Sequence, residues 1–483
     1  MSYPTTCRRF IPRLFIWAFA LLAVVAPAST AAEVERPNIV FIILDDLGPA
    51  DLGCYGSKCI KTPNIDHLAG EGIRFAQAYT GCSVCAPTRS TLMTGRHMGH
   101  TTVRANPGGV PLRDQDVTIA EVLKKRGYST GGFGKWGLGD LDTSGVPERQ
   151  GFDRFFGYYH QLHAHQFYPE YLIDTGRKIP LPNAGFYGDG KRPAGPASLD
   201  NPHSETNYIF STYPIFAEMK KFIADNKDRP FFCYAPWTIP HANYEIPETD
   251  PAWQIYKDQP WPMEDKVFAA YTSLADRMVG ETLALLAELG LDEKTIVFFC
   301  SDNGAPNESP ILNSSGGLRG KKGQLYEGGI RTPLIARWPK RIAAGRVSDV
   351  PVYLPDILPT LAELTGAKSH VPADVDGISL APELLGAGTI PRDRPLYWEW
   401  NGAHFAPYEP KFQAVRRGQW KLLRNQLDGP WELYDLAADE CETTDVAAAH
   451  PEVVAELAEW VEQNRQPHLP QVEPQKPKGK RWR

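Results

Sequence analysis

Three short apolar runs, each broken off by polar residues that no strand interior tolerates, constrain this chain more than any other feature. NIVFIIL, from Asn38 to Leu44, gives way at once to Asp45 and Asp46. TIVFFC, from Thr295 to Cys300, gives way to Ser301, Asp302, Asn303 and Gly304, and PFFCYA to Pro236 and then His241. A run with no polar residue at alternate positions has no solvated face, so these segments read as strands covered on both sides of a parallel sheet. Helical patterns lie between them. TIAEVLKKRGY opens with Thr118 and Glu121 at capping-box spacing and stops at Gly127, and EDKVFAAYTSLADRMVGETLALLAELG keeps apolar residues at helical spacing up to Gly290. Strands alternating with helices predict an α/β fold built on a large, doubly wound, mixed but mainly parallel sheet.

The texture changes past residue 380. PLYWEW, FQAVRRGQWKLLR and WELYDL read as strands joined by turns, and PEVVAELAEWVEQN as a closing amphipathic helix. The expected organisation is a large α/β domain over 33–380, a small C-terminal antiparallel sheet with a helix over 381–470, and a loose basic tail over 471–483. Residues 1–32 read as a signal peptide. Arg8, Arg9 and Arg13 precede the apolar stretch Leu14 to Val25, and APASTAA offers small residues for cleavage near Ala32. Export to a periplasm or the exterior is expected, without a transmembrane segment, since no later run approaches the ~20 apolar residues a spanning helix needs.

Removing that leader takes three arginines and no acids, so the formal charge of -6 becomes -9. Nothing in that acidic balance suggests a nucleic-acid binder, and an anionic substrate would need a local cluster of cations to overcome the global field. Of the eight cysteines, Cys7 lies in the leader. Seven remain, an odd number in a compartment that favours disulfides.

In open α/β sheets ligands bind beyond the carboxyl ends of the strands. Those ends here carry Asp45, Asp46, Asp302, Asn303, His241 and, after YSTGGFG, Lys135. Three carboxylates and an amide make a hard, all-oxygen donor set suited to Ca²⁺ or Mg²⁺ and ill suited to Zn²⁺. The stretch GCSVCAPTRSTLMTGRHMGH adds two cysteines three residues apart, Cys82 and Cys85. A thiol redox or zinc protein would use that pair, but such a reading leaves LDDLG, SDNG and RGKKG without a role.

CAPTR followed by STLMTGR resembles the signature of type I sulfatases, C-x-P-[S/T]-R with a downstream T-G-R. The resemblance runs through RPNIVFIILDDLG, KTPNIDHLAGEGIRFAQAY, GFGKWGLG, SDNG and LRGKKGQLYEGGIRTP to LYDLAADECETTDVA, nearly the whole mature chain. It implies the alkaline phosphatase superfamily fold and hydrolysis of sulfate esters. It also implies that a separate maturation enzyme oxidises Cys85 to formylglycine. The hydrated aldehyde would attack sulfur with one hydroxyl and expel sulfate by losing the proton of the other. Calcium is the ion expected, held by Asp45, Asp46, Asp302, Asn303 and the modified Cys85. Arg89, four residues on, would reach that group and the metal cluster; Lys135 and Lys322 would face the sulfate oxygens. His241, in IPHAN, matches the family's proline-histidine element and is the candidate general acid.

One departure stands out. The family pattern G-K-W-H-L-G reads GKWGLG here, with Gly137 where a catalytic histidine is expected. YYHQLHAHQFYPEY follows with His160, His163 and His165, and His165 is expected to move into the vacated space. His100, Arg104 and Asn106 are expected on the rim of the cleft. Tyr158, Tyr159, Phe167, Tyr168, Trp253 and Trp261 are expected to stack on sugar rings, making a sulfated carbohydrate the anticipated substrate. A phosphate or phosphonate monoesterase of the same superfamily and a catalytically silent sulfated-glycan-binding relative are the alternatives.

Overall fold

The computed structural model describes residues 1–2 and 36–467, apart from 107–110, 185, 188–207, 244, 307 and 403–409. The chain divides into two units, Met1–Val34 and Glu35–Arg483, and only the second is described below. The expected signal peptide, beyond its first two residues, and the basic tail lie outside the described residues.

The large sheet contains β1 (Asn38–Asp45), β2 (Ile73–Tyr79), β3 (Ser129–Lys135), β4 (Arg154–Tyr158), β5 (Tyr171–Asp174) and β6 (Arg177–Pro180). It continues with β7 (Phe231–Pro240), β8 (Thr295–Ser301), β9 (Arg331–Arg337), β10 (Arg346–Ser348) and β11 (Val352–Tyr353). The strand order is β10-β2-β9-β8-β1-β7-β3-β4-β5-β6, with β11 also on β2. The central block β8-β1-β7-β3-β4 is parallel throughout, whereas β9 runs antiparallel to β2 and β8, and β5 antiparallel to β4 and β6. The sheet is therefore mixed and mainly parallel.

The unbroken apolarity of β1 has a direct cause. Val40, Ile42 and Leu44 enter one core, against the helices Thr212–Asp225 and Met263–Glu288. Ile39, Phe41 and Ile43 enter the other, against Cys85–Thr94, Ile119–Lys124 and Ile357–Leu364. Each such side chain contributes about 1.5–3 kcal/mol by leaving water. The capping box read from Thr118 and Glu121 is formed in both directions.

β7 outruns its apolar stretch. Pro236 breaks the sequence pattern because it has no N–H to give, yet the strand continues to Pro240 and delivers His241 at its end. β3 closes on it at Gly134, with φ 138°, where a Cβ would lie 2.0 Å from the Pro236 carbonyl oxygen. Only glycine lets the strand that ends in Lys135 come so near.

The small sheet is antiparallel: β12 (Leu396–Trp400), β13 (Phe412–Arg417), β14 (Trp420–Arg424) and β15 (Glu432–Asp435). Its core joins Trp398, Leu422 and Leu433 to Leu457 and Val461 of the helix Pro451–Gln463, and to Tyr79, Val84, Met98 and Ile330 near the end of the large sheet. A buried ion pair crosses the same junction. Lys421 on β14 lies 3.0 Å from Glu327 and 2.8 Å from Glu442, and Arg331 lies 2.6 Å from Glu327.

The aromatic residues expected to stack on sugars instead pack inward. Tyr158, Tyr159, Phe167, Tyr168 and Trp253 are buried in the two main cores. Trp261 is half-buried against Tyr256. Their size and apolar faces are spent on packing.

Asp51, just beyond β1, is buried and accepts a hydrogen bond of 2.7 Å from the Gly48 amide. Burial pushes its carboxyl up to about 7. An acid held neutral in the fold ionises first in the unfolded chain, so its cost to stability grows from about pH 4 to about pH 7 and is constant above. Asp51→Asn should therefore stabilise the protein at pH 8 by about 2 kcal/mol, near 2 °C in Tm, with no gain at pH 4. Thermal melts at the two pH values check this, and an equal shift at both would refute it.

Candidate active site

The helix Cys85–Thr94 begins on Cys85, and all ten of its residues are buried. Its first turn has little backbone left to satisfy. The Ala86 amide donates to Asn106 Oδ1 at 3.1 Å, and Pro87 has no N–H to leave unpaired. Thr88 ties the preceding loop down, its hydroxyl donating to the Cys82 carbonyl at 2.8 Å while the Cys82 amide donates to it at 3.1 Å. The cysteine, proline and threonine of CAPTR thus build a helix start that presents residue 85 where the helix dipole favours negative charge.

Asp45 and Asp46 leave β1, with Asp46 at φ 71°, a left-handed conformation that aspartate tolerates better than most residues. Asp302 and Asn303 leave β8 beside them. The Asp46 amide donates to Asp302 Oδ1 at 3.3 Å, and Asn303 Nδ2 to Asp46 Oδ1 at 2.9 Å. The Cys85 thiol points into this group, with Sγ 3.1 Å from Asp45 Oδ1 and 3.6 Å from Asn303 Oδ1. Ligand atoms of Asp45, Asp46, Cys85 and His241 all lie within 4.8 Å of one another.

Three permanent cations answer the three carboxylates. Arg89 donates to Asp302 Oδ2 from Nε at 3.1 Å and Nη2 at 2.8 Å, and to the Lys135 carbonyl from Nη1 at 2.6 Å. The Lys135 ammonium donates to Asp45 Oδ2 at 2.6 Å, and Lys322 grips both oxygens of Asp46 at 2.6 and 2.8 Å. Lys321, its neighbour in RGKKG, is exposed and turns to Glu308. His241 faces Asp46 Oδ2 from Nε2 at 3.5 Å, and its Nδ1–H donates to the Ala242 carbonyl. The edge facing Asp46 therefore carries a proton only in the charged imidazolium. His165 stacks on His241, centroids 4.1 Å apart, with Nε2 3.4 Å from the Lys135 ammonium.

Burial and charge together decide the protonation states. Burial pushes Asp45 upward, but Lys135, His241 and Arg89 outweigh it and hold its carboxyl well below the ordinary value. Asp302 goes the other way, raised to about 7 by burial and by the negative charge of Asp45 against the pull of Arg89. Burial lowers both His165 and His241. Burial, with Asp302 and Asp45 nearby, drives the Cys85 thiol far upward, so at neutral pH the unmodified sulfur is no thiolate and a poor nucleophile.

The structure brings together Asp45, Asp46, Cys85, Arg89, Lys135, His165, His241, Asp302, Asn303 and Lys322. It does not bring His100 and Arg104 to them. Arg104 is buried and donates to the carbonyls of Thr101, Gly99 and Gln466 and to Glu399, which leaves it nothing to offer at a rim. His100 pairs with Asp376 at 2.9 Å and stacks on His97. In that second cluster His97 Nδ1 accepts from the Gly99 amide at 3.0 Å, so its proton sits on Nε2 facing Asp376 at 3.5 Å. Hydrogen bonds account for the arrangement, and a metal would have to displace that proton.

The space beside Gly137 is also not taken by His165. With φ 79°, this glycine would put a Cβ 2.7 Å from Oε1 of Gln161 and 3.9 Å from Cβ of Ala86, so Gln161 fills the gap. His165 reaches the cluster at Lys135 instead. Sequence reasoning passed over Gln161; its one signal was a glutamine between the histidines it weighed.

Comparison with known proteins adds an independent line. The profile of the sulfatase family matches residues 37–367, and that described as "N-sulphoglucosamine sulphohydrolase, C-terminal" matches 320–467. Human arylsulfatase A is 37% identical over 413 residues, covering 82% of this chain and 76% of that one. Mouse N-acetylgalactosamine-6-sulfatase is 32% identical over 449 residues, covering 89% and 78%. The crystal structure of Ps i-CgsB in complex with k-i-k-neocarrahexaose superposes with a TM-score of 0.73 at 27% identity, covering 90% of this chain and 96% of that one.

Proposed function

We propose that this chain, which belongs to the sulfatase family of the alkaline phosphatase superfamily and is a sulfuric ester hydrolase, acts on a sulfated carbohydrate after oxidation of Cys85 to formylglycine by a maturation enzyme. The observation that carries this reading is the buried assembly around residue 85, where a helix start, three carboxylates and three cations meet within hydrogen-bonding distance. That set is built to bind an anion against a reacting side chain. A neocarrahexaose ligand in one similar structure and an aminosugar in the name of one relative support a carbohydrate substrate, and the arylsulfatase relative makes an aryl sulfate the comparison ester. Export to a periplasm or the exterior belongs to the same proposal. Among the described residues no helix is long and apolar enough to cross a membrane.

The donor chemistry fits calcium. Asp45, Asp46, Asp302 and Asn303 offer carboxylate and amide oxygens, the sulfur of Cys85 would be replaced by oxygen on maturation, and the imidazole of His241 beside them is kept for proton transfer. Asp45, Asp46, Asp302, Asn303 and the modified residue 85 would hold the ion, which would draw charge from the sulfuryl oxygens. The hydrated aldehyde would supply the hydroxyl nucleophile that the protonated thiol does not.

The chain's own side chains have separate tasks. Lys135 and Lys322 set ammonium groups against the sulfuryl oxygens. Arg89 holds Asp302 to the backbone of Lys135, fixing the end of β3 against the end of β8. His241 gives a proton from Nε2 to the leaving oxygen in its imidazolium form, which the facing Asp46 favours against burial, and the stacked imidazole of His165 limits which way its ring turns.

Two measurements test this. With matched esters, the sulfate should turn over at least ~100-fold faster in kcat/KM than the phosphate or phosphonate. A preference for phosphate would favour the monoesterase alternative, and binding of sulfated glycan without any release would favour the silent relative. Dialysis against a chelator should lower turnover by about 100-fold or more, with recovery on adding Ca²⁺. Undiminished turnover would remove the ion from the proposal.

A further inference from the structure

Gln161 is fully buried, and neither its amide nitrogen nor its amide oxygen has a hydrogen-bond partner among the described residues. Buried side-chain amides are almost always paired, because an unpaired one loses its hydrogen bonds to water and regains nothing. A chain keeps such a group where it meets a partner that comes later. The surroundings of Gln161 indicate which partner. Its Oε1 lies 2.7 Å from the position of a Cβ on Gly137, and that position is 3.9 Å from Cβ of Ala86, the residue after Cys85. Gly137 stands two residues beyond Lys135, whose ammonium shares Asp45 with the Cys85 thiol. The loop is pinned there as well, since the amides of Trp136 and Gly137 donate to the carbonyls of Tyr158 and Tyr159 at 2.8 and 3.0 Å.

We infer that Gln161 is a positioning residue for the side chain at position 85, its amide hydrogen-bonding the hydroxyl that does not attack once that side chain carries a hydrated aldehyde. The inference rests on the reading of residue 85 as formylglycine. Addition of water across the aldehyde C=O gives two hydroxyls, each able to donate to an amide oxygen and accept from an amide N–H. An amide moves no proton, so Gln161 holds the hydrate and fixes which hydroxyl faces the ester. The glycine at 137 and the glutamine at 161 are one device, since any side chain at 137 would collide with the amide.

The test is Gln161→Met, which keeps the volume and removes the hydrogen-bonding atoms, with Gln161→Asn as the conservative partner. Three readouts are taken on protein whose residue 85 is shown by mass spectrometry to be oxidised. The melting temperature of Gln161→Met should stay level or rise by about 1–3 °C, because an unpaired buried amide has been replaced by an apolar isostere. Labelling of the aldehyde by an aminooxy probe should run at least about threefold faster, because the hydrate has lost a stabilising bond. With an aryl or sugar sulfate, kcat should fall about 10- to 100-fold while KM stays within about threefold, and Gln161→Asn should recover part of it. Unchanged kcat and labelling would overturn the inference, as would a fall in melting temperature in step with activity at wild-type labelling. Wild-type turnover in the same assay separates the two levels: if oxidised wild type releases no sulfate, the functional reading fails first.

Discussion

Cys85→Ala should abolish sulfate release, by at least about 10⁴-fold in kcat, while the melting temperature should stay within about 2 °C of wild type. Losing a covalent catalyst leaves only what binding and the surrounding charges contribute, and such losses run to several powers of ten. The fold survives because the thiol is small and its neighbours have other partners: Asp45 keeps Lys135 at 2.6 Å, and the Asn303 amide keeps Asp46 at 2.9 Å. The informative comparison is wild-type protein made without the maturation enzyme. Its thiol is held protonated by burial and by the negative charges of Asp302 and Asp45, so it should be as inactive as the alanine variant. Mass spectrometry of the peptide containing residue 85 should show loss of sulfur and gain of oxygen in active material only. Full activity from protein with an intact thiol would end the proposal.

The second large effect concerns Arg89. Arg89→Met strips Asp302 of both guanidinium bonds in a fully buried site, leaving the Asp46 amide on its other oxygen, and a buried charge that loses its ion-pair partner costs about 3–5 kcal/mol. Activity should drop at least about 10³-fold, with a Tm lower by about 3–5 °C. The lesion has a pH signature. In protein stripped of the ion, the carboxyl of Asp302 is already raised to about 7 by burial and by Asp45, and losing Arg89 raises it further. The variant's deficit should therefore shrink as pH falls and Asp302 takes up a proton. Arg89→Met combined with Asp302→Asn should recover stability without recovering turnover. If the single variant melts like wild type at pH 8, Arg89 is not holding that charge.

Much of this was legible in the sequence, and the reason is physical. A strand buried on both faces must be apolar throughout, so β1, β7 and β8 declare themselves, and whatever polar residue ends them stands at the mouth of the sheet. Asp45, Asp46, Asp302, Asn303 and Lys135 were found in this way. Lys322 came from a motif, being distinguishable from Lys321 only by family resemblance. What the letters could not give was direction. Arg104 and His100 have the chemistry of rim residues, but Arg104 spends its donors on backbone carbonyls and His100 on Asp376. Aromatic side chains serve packing and recognition equally well, and burial alone tells them apart. Gln161 was missed because an amide has no conspicuous chemistry until it is seen lacking a partner.

The pairing of Lys421 with Glu327 and Glu442 spans 94 positions of chain for its longer arm. During synthesis Glu327, beside the end of the large sheet, emerges with Arg331 next to it and gains its second close cation, Lys421, only when β14 is made. A chain cut short before residue 421 should therefore be less stable and more readily cleaved by proteases than the whole chain, since Glu327 and Glu442 both lose Lys421.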